Sequence, residues 1–421
     1  MNSVLNYLAA ARRSEESELE NLARTCDLVL AASELVHHLQ QERGSSNLFL
    51  ASDGRRFAEL RAQRVAASDQ AMLLLDAWLE RRESQDGMSG GARFYTRVAI
   101  ALQALAGLPE IRRGVAALTL TPAQASEQYS QLVAALLALV FEAADVAIDP
   151  AISRLLIALF HLMQGKESAG RERATGAAAF AAGRIGEAEV QAIEYLIEMQ
   201  ENSFRHFVAF CDELGAEWRA LQSLLPLSSL ERLRRKLLSG LGRPLDSALA
   251  DEWYTCCSAR MDELHRVENH LAGLLQGLCR QRIEQLQRDS ADQQQRLSEL
   301  RGSLPLPPQA AFAAGIGGPV AAAGDGIGPH LTQAVVDMLQ SQSQRLQTLT
   351  DELATVRANL EERKLIERAK GILMATQGLD EAAAYRLLRQ NAMNQNRRLA
   401  DVAEALLGVA GLLPGQAGLE R

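Results

Sequence analysis

The sequence predicts an all-α protein, on three observations. Apolar residues recur three and four positions apart over long stretches. Ala and Leu abound while aromatic residues make up only 5%, a mix that suits helices better than sheets. No run alternates apolar and polar residues as a strand would, and no βαβ rhythm is present. A hydrophobic share of 48% and a charged share of 23% argue against global disorder. At 421 residues the chain has room for two or three domains and a sizeable core.

Up to about Arg301 the chain reads as successive amphipathic helices forming N-terminal helical bundles. Leu28, Leu35 and Leu39 share a helical face, and Leu73, Leu74 and Trp78 are expected to share another. Asp149-Pro150 is a helix start, with an Asp cap and Pro in the first turn. From there Leu155, Leu156, Leu159 and Met163 mark one face. Asp246 to Leu300 runs without Pro and carries Leu264, Leu271, Leu274, Leu275, Leu278 and Leu286. A loose internal echo joins Leu35-Val36-His37-His38-Leu39-Gln40 to Leu159-Phe160-His161-Leu162-Met163-Gln164. It reads either as two related bundles or as chance in Leu-rich helices.

Residues 302–330 form a Pro/Gly/Ala-rich linker, with Pro305, Pro307, Pro308, Pro319, Gly315, Gly317 and Gly318. Beyond it, residues 331–360 carry a coiled-coil seam of about four heptads. Its positions are Val335, Leu339, Leu346, Leu349, Leu353, Val356 and Leu360, with Gln342 as the polar exception. Such a seam must be buried, against a second copy of the chain or back on the bundle. Residues 361–413 read as a three-helix module. Ile366, Ile372 and Leu373 lie on the first helix, which ends at Gly378. Asp380-Glu381 opens the second, with Ala384, Leu387 and Leu388. The third starts near Asn396 and carries Leu399, Val402, Leu406 and Leu407.

Met1-Asn2-Ser3-Val4 lacks the basic start and apolar run of a signal peptide. Leu132 to Phe141 is apolar but too short to span a bilayer. The expectation is a protein without a membrane segment. The five cysteines, Cys26, Cys211, Cys256, Cys257 and Cys279, contain no Cys-x-x-Cys pair. They fit free thiols in a reducing cytoplasm. No Cys/His group has metal-ligand spacing, and His37, His38, His161, His206, His265, His270 and His330 form no catalytic pattern. No enzyme, cofactor or metal is expected.

Charged residues in core phase are the sharper signals. Arg43 follows Leu39 by four residues and Leu35 by eight, on their face. A buried arginine costs several kcal/mol unless paired. Either Glu42 or another helix supplies a carboxylate, or the side chain snorkels to the bundle end, or an anion binds there. In Leu230-Glu231-Arg232-Leu233-Arg234-Arg235-Lys236-Leu237, Arg234 falls on the inner face and Arg235 at its margin. Lys166, Arg171 and Arg173 form a third basic cluster, with a solvated or salt-bridged face as the alternative. A planar guanidinium donates in a fork and matches a trigonal oxyanion or a carboxylate. Gly44, Ser45 and Ser46 stand beside Arg43 as a source of backbone and hydroxyl donors. The whole chain carries a net charge of −8. Against it, Arg386, Arg389, Arg397 and Arg398 form a local basic patch with Tyr385, Gln390, Asn391, Asn394, Gln395 and Asn396. Such a set suits phosphates and unpaired bases, or a solvated helix face.

Two family resemblances follow. Glu361-Glu362-Arg363-Lys364-Leu365-Ile366-Glu367-Arg368-Ala369-Lys370-Gly371-Ile372-Leu373-Met374 resembles the opening of an ANTAR domain. The likeness continues through Glu381-Ala382-Ala383-Ala384-Tyr385-Arg386-Leu387-Leu388-Arg389 and Ala392-Met393 to Asn396-Arg397-Arg398-Leu399-Ala400-Asp401-Val402-Ala403. Gln41-Glu42-Arg43-Gly44-Ser45-Ser46-Asn47 and Met163-Gln164-Gly165-Lys166-Glu167-Ser168-Ala169-Gly170-Arg171-Glu172-Arg173-Ala174 resemble the nitrate- and nitrite-sensing NIT domain. The order NIT, coiled coil, ANTAR is similar to that of nitrate-responsive transcription antiterminators.

The resemblance implies a cytoplasmic, dimeric regulator with nitrate or nitrite as ligand and leader RNA hairpins as partner. Binding of the RNA would prevent transcription termination of nitrogen-assimilation genes. Arg43 matches the first ligand arginine. The second falls at Arg234 by helical phase or at Arg235 by the family motif. No role is assigned to the Lys166 cluster. RNA contacts are expected from Lys364, Arg368, Lys370, Arg386, Arg389, Asn394, Asn396, Arg397 and Arg398. The alternative is an ANTAR regulator whose bundle senses another small anion or a protein partner.

Overall fold

Helix boundaries are written locally. The Asp149 carboxylate accepts from the backbone N–H of Ala151 at 2.9 Å and Ile152 at 3.0 Å, with Pro150 in the first turn. Thr121 and Gln124 make a reciprocal capping box ahead of Pro122. The Asp380 side chain accepts from Ala383 N–H at 2.7 Å. The computed structural model describes residues 2–83, 91–211, 214–224, 227–302 and 328–410. Among these, every regular element is a helix. They are α1 (Asn2–Ala51), α2 (Ala58–Glu83), α3 (Gly91–Leu105), α4 (Leu108–Ala116), α5 (Pro122–Val146), α6 (Pro150–Ala181), α7 (Glu187–Phe210), α8 (Gly215–Leu224), α9 (Leu227–Leu238), α10 (Leu249–Gly302), α11 (Gly328–Gln377), α12 (Glu381–Gln395) and α13 (Leu399–Ala410).

Two long helices organise the N-terminal region. α1 packs on α2, α5 and α10, while α6 packs on α7, α10 and α5. Leu28, Leu35, Leu39, Leu156, Leu159, Met163, Leu264 and Leu271 are buried in one continuous core. Each buried Leu contributes about 1.5–3 kcal/mol of transfer free energy. A smaller core gathers Phe180, Ile193, Leu233, Leu237 and Trp253 where α6, α7, α9 and α10 meet. α11, α12 and α13 enclose a third around Ala369, Leu373, Ala384, Leu388, Val402 and Ala403.

Several expectations need correction. Leu73 and Leu74 are 61% and 62% exposed, and the inner positions are Ala71 and Leu75. The run Ala71-Met72-Leu73-Leu74-Leu75 offers every helical phase, so packing chooses the face. The third C-terminal helix starts at Leu399; Asn396 instead ends α12 in the left-handed conformation, at φ 49°. α5 is long and apolar enough to cross a membrane by length and composition, but it is a mostly buried core helix here.

The seam divides. Val335 and Leu339 lie where side chains are not described, and so does Leu346. Leu349 and Leu353 are half-buried, while Val356 and Leu360 join the N-terminal core. The end of the seam thus packs back on the bundle. α11 runs unbroken through residue 360, so no helix end marks the expected boundary there. Most of the 302–330 linker falls outside the described residues.

Candidate functional site

Arg43 points inward, as its phase predicted, and is 1% exposed. Its Nη1 donates to Glu167 Oε1 at 2.5 Å and to Ser130 Oγ at 2.8 Å. Its Nη2 donates to Glu167 Oε2 at 3.1 Å. The carboxylate therefore comes from another helix, α6. Glu42 faces elsewhere: it accepts from Arg112 Nε and Nη2 at 2.8 and 2.9 Å and from the Tyr129 hydroxyl at 2.7 Å. Burial first, and then the Glu42 charge, push the Tyr129 pKa up.

A second buried pair lies farther along α6. Arg234 Nε and Nη2 donate to the two Glu172 oxygens at 2.6 and 2.8 Å, and Nη1 donates to Glu231 at 2.7 Å. Burial opposes the Arg234 charge, but the Glu172 hydrogen bonds outweigh it and raise the pKa. Arg235 is exposed, and its Nε reaches only the Glu231 carbonyl, at 3.4 Å. Phase and motif therefore part: the inward residue is Arg234. Lys166 is fully buried against Glu268, which also accepts from Ser33 Oγ at 2.8 Å.

Glycines let these chains cross. A Cβ on Gly170 would stand 2.6 Å from Arg43 Nη2, and one on Gly44 would stand 2.8 Å from Arg173 Nη2. Gly44 thus makes room for a guanidinium from α6. Ser45 Oγ is turned back to the Glu42 carbonyl at 3.0 Å. Arg173 donates to Ser258 Oγ at 3.0 Å and lies 5.0 Å over the Tyr254 ring.

The C-terminal helices dock on this bundle through charge pairs. Arg171 Nη1 meets Glu381 Oε2 at 3.1 Å, and the Tyr195 hydroxyl donates to Glu381 Oε1 at 3.0 Å. Lys370 is 3% exposed and pairs with Glu381 at 3.0 Å and Glu367 at 2.9 Å. Burial alone would raise the Glu381 pKa; Lys370 and Arg171 overcome it and hold the group at about 2. Arg389 pairs with Glu198 at 2.6 Å, beside the Tyr385 hydroxyl donating to Glu198 at 3.3 Å. Lys364 meets Asp145 at 2.9 Å, and Arg363 covers the Phe160 ring at 4.9 Å.

The description "Nitrate and nitrite sensing" belongs to the NIT family model, which matches residues 34–276, more than half of the chain. The chain belongs to the NIT family. An ANTAR domain model matches residues 354–407. The "Nitrate regulatory protein" of Klebsiella oxytoca is 32% identical over 97% of this chain and 96% of its own length. The "Transcriptional regulatory protein PdtaR" of Mycobacterium tuberculosis is 34% identical over 76 residues, 18% of this chain and 37% of that one. A solved structure, "Structure of the NasR transcription antiterminator", superposes with a TM-score of 0.61 at 30% identity, covering 98% of this chain and all of that one. With NIT and ANTAR domains together, the chain is a nitrate-responsive regulator of the ANTAR antitermination type, not an enzyme.

The nine expected ANTAR contacts separate into two groups. Lys364 and Arg389 meet carboxylates of the bundle, Lys370 is buried and paired with Glu367 and Glu381 of its own module, and Arg386 is half-buried. Arg368, Asn394, Asn396, Arg397 and Arg398 are exposed. Arg398 pairs with Glu362 at 3.0 Å and Asp401 at 2.9 Å, while Asn394 accepts from Gln390 at 2.9 Å. In the NIT core, sequence reasoning did not assign Glu167 or Glu172. Glu167 carried the same signal as Arg43, standing eight residues after Leu159 in core phase. Tyr195, Glu198 and Asp145 had no such signal, because they matter only through docking.

Proposed function

We propose that nitrate or nitrite binds in the polar core between α1, α6 and α9, and that binding releases the ANTAR helices for RNA. Arg43 and Arg234 are the ligand arginines on this reading; Arg235 lies outside the core. The observation that carries it is the pairing of buried Arg43 with Glu167. A trigonal oxyanion offers Arg43 the same forked acceptor geometry as that carboxylate. Anion and Glu167 therefore compete for one guanidinium, and the winner resets α6 against α1.

α6 also carries Arg171, four residues from Glu167, where the sensor grips Glu381. A change at Glu167 thus reaches the ANTAR contact within one helical turn. In the docked arrangement Asp145 and Glu198 of the bundle hold Lys364 and Arg389, and Lys370 is buried against Tyr195, so none of the three can also contact phosphate. Undocking takes Asp145 and Glu198 away and uncovers Lys370, so that all three bind leader RNA hairpins, together with Arg368, Arg386, Asn394, Asn396, Arg397 and Arg398, and so block termination. The division is sensor 1–301, linker 302–330, coiled coil 331–360 and RNA-binding module 361–413. The half-buried Leu349 and Leu353 then seat a second copy, making a homodimer. The setting is the cytoplasm, and the controlled genes serve nitrogen assimilation.

Nitrate must favour the RNA-competent state by its differential affinity, and linkage is reciprocal. Calorimetric titration with nitrate, on the wild type and Arg43→Ala, with and without a leader hairpin, tests this. One-site binding lost in Arg43→Ala, and tightened by RNA, is the expected result. Equal nitrate affinity with and without RNA defeats the coupled model.

A further inference from the structure

Four guanidiniums lie along α6: Arg43 with Arg173 where α1 and α10 pack on it, and Arg234 with Arg260 beside Glu172. Two of them have buried carboxylate partners, Glu167 for Arg43 and Glu172 for Arg234. Arg173 and Arg260 form no ion pair with any described residue. Arg173 has only the Ser258 hydroxyl and the Tyr254 ring. Arg260 has the Gln200 side-chain oxygen at 2.7 Å and the Phe204 ring at 5.6 Å. The polar core therefore holds an excess of positive charge, and burial presses on it. Desolvation lowers the pKa of both Arg173 and Arg260, and the neighbouring Arg43 and Arg234, respectively, add to that effect, against an opposing pull from Tyr254 and Asp262 on Arg173 and from Glu172 and Glu231 on Arg260.

Arg173 is the better placed of the two beside Arg43. Arg43 packs on Gly170, three residues before Arg173 on α6, and Arg173 packs on Gly44, the residue after Arg43. Met261 on α10 closes over the same glycine, its Cε 3.2 Å from where a Gly170 Cβ would stand. Arg234 already has two carboxylates, Glu172 and Glu231, and gains least from a further anion. An uncompensated buried cation beside a paired one is the arrangement that an incoming monovalent anion neutralises.

We propose that Arg173 is a direct anion ligand in the NIT core, holding nitrate jointly with Arg43. This rests on the reading that the core binds nitrate. It adds to the sequence-expected arginines a residue to which the family motif gave no role. The fork of Arg173 grips one edge of the planar anion while Arg43 donates to another, and Glu167 is displaced. Tyr254 and Met261 limit the space, so the site takes a small oxyanion and not a bulky carboxylate.

The test is nitrate titration calorimetry on the full chain as wild type, Arg43→Ala, Arg173→Met and Arg173→Lys, with thermal unfolding in nitrate-free chloride buffer. Arg173→Met removes an unpaired charge, so its Tm stays level or rises. A structural arginine would lower Tm when removed. Nitrate affinity is expected to fall at least about tenfold in Arg173→Met, with Arg173→Lys between it and the wild type because charge is kept and the fork is lost. Should Arg173→Met fold poorly, the lysine variant still reports the loss of the fork. If wild type binds, Arg43→Ala does not, and both Arg173 variants bind like the wild type, this proposal is overturned while the nitrate-site reading stands. If the wild type itself gives no saturable binding, the nitrate-site reading falls and takes this proposal with it.

Discussion

Weakening the docked interface from the sensor side should switch on RNA binding without nitrate. The perturbation is the double variant Arg171→Gln with Glu198→Gln. Both residues lie on the NIT bundle, so every expected RNA contact stays chemically intact. Arg171 and Glu381 side chains are 37% and 35% exposed. Solvent screening limits that pair to about 1 kcal/mol. Glu198 and Arg389 are 28% and 51% exposed, which again limits the pair to about 1 kcal/mol. The two pairs share no partner, so the effects should add to about 2 kcal/mol. That shifts the docking equilibrium about 30-fold toward the open form. If the docked state dominates in the wild type, the apparent RNA affinity without nitrate rises by the same factor. The assay is fluorescence anisotropy with a leader hairpin that the wild type binds in nitrate, at a fixed ionic strength of about 0.15 M. A basal affinity within about twofold of wild type, in a variant with an unchanged Tm, would refute the view that docking withholds the RNA face.

Three further outcomes are expected. Glu167→Gln removes the carboxylate that competes for Arg43, so calorimetry should show nitrate binding tightened by at least about tenfold; unchanged affinity would mean that Glu167 is not displaced. Gly176→Ala drives a methyl group into the fully buried Trp253 ring, whose Nε1 donates to the Arg173 carbonyl at 2.9 Å. Overpacking there should cost about 1–3 kcal/mol, read as a lower denaturant midpoint. Glu268 supplies a pH dependence. Burial alone would raise its pKa, but Lys166 and His265 hold it at about 2 in place of 4.5. A depressed carboxylate contributes stability that is complete above about pH 4.5 and is lost as the pH falls toward 2. The contribution is about 3 kcal/mol, and Glu268→Gln should flatten that acid limb of the unfolding curve. An unaltered acid limb would contradict the assignment.

By itself the sequence determined the helical class, the caps at Asp149 and Asp380, and the inward phase of Arg43 and Arg234. These are local consequences of the 3.6-residue repeat and of side chains bonding to their own backbone. It also placed both family motifs, which the comparisons bear out. The face of α2 was not legible, since five apolar residues in a row allow any phase. Nor was Arg43's partner. The echo between α1 and α6 sets Arg43 against Glu167, 124 residues apart, and the folded chain joins these two. Local periodicity singled out Arg43 as a misplaced charge; Glu167 has the same phase but was not assigned, and nothing local pairs the two. Burial of both on facing helices decided it, because each charge is costly in the core without the other. The docking of Lys370 and Arg389 is likewise tertiary. Those residues have the same sequence pattern whether they meet phosphate or carboxylate, and only the apposition of α12 and α7 presents Glu198 and Tyr195 to them.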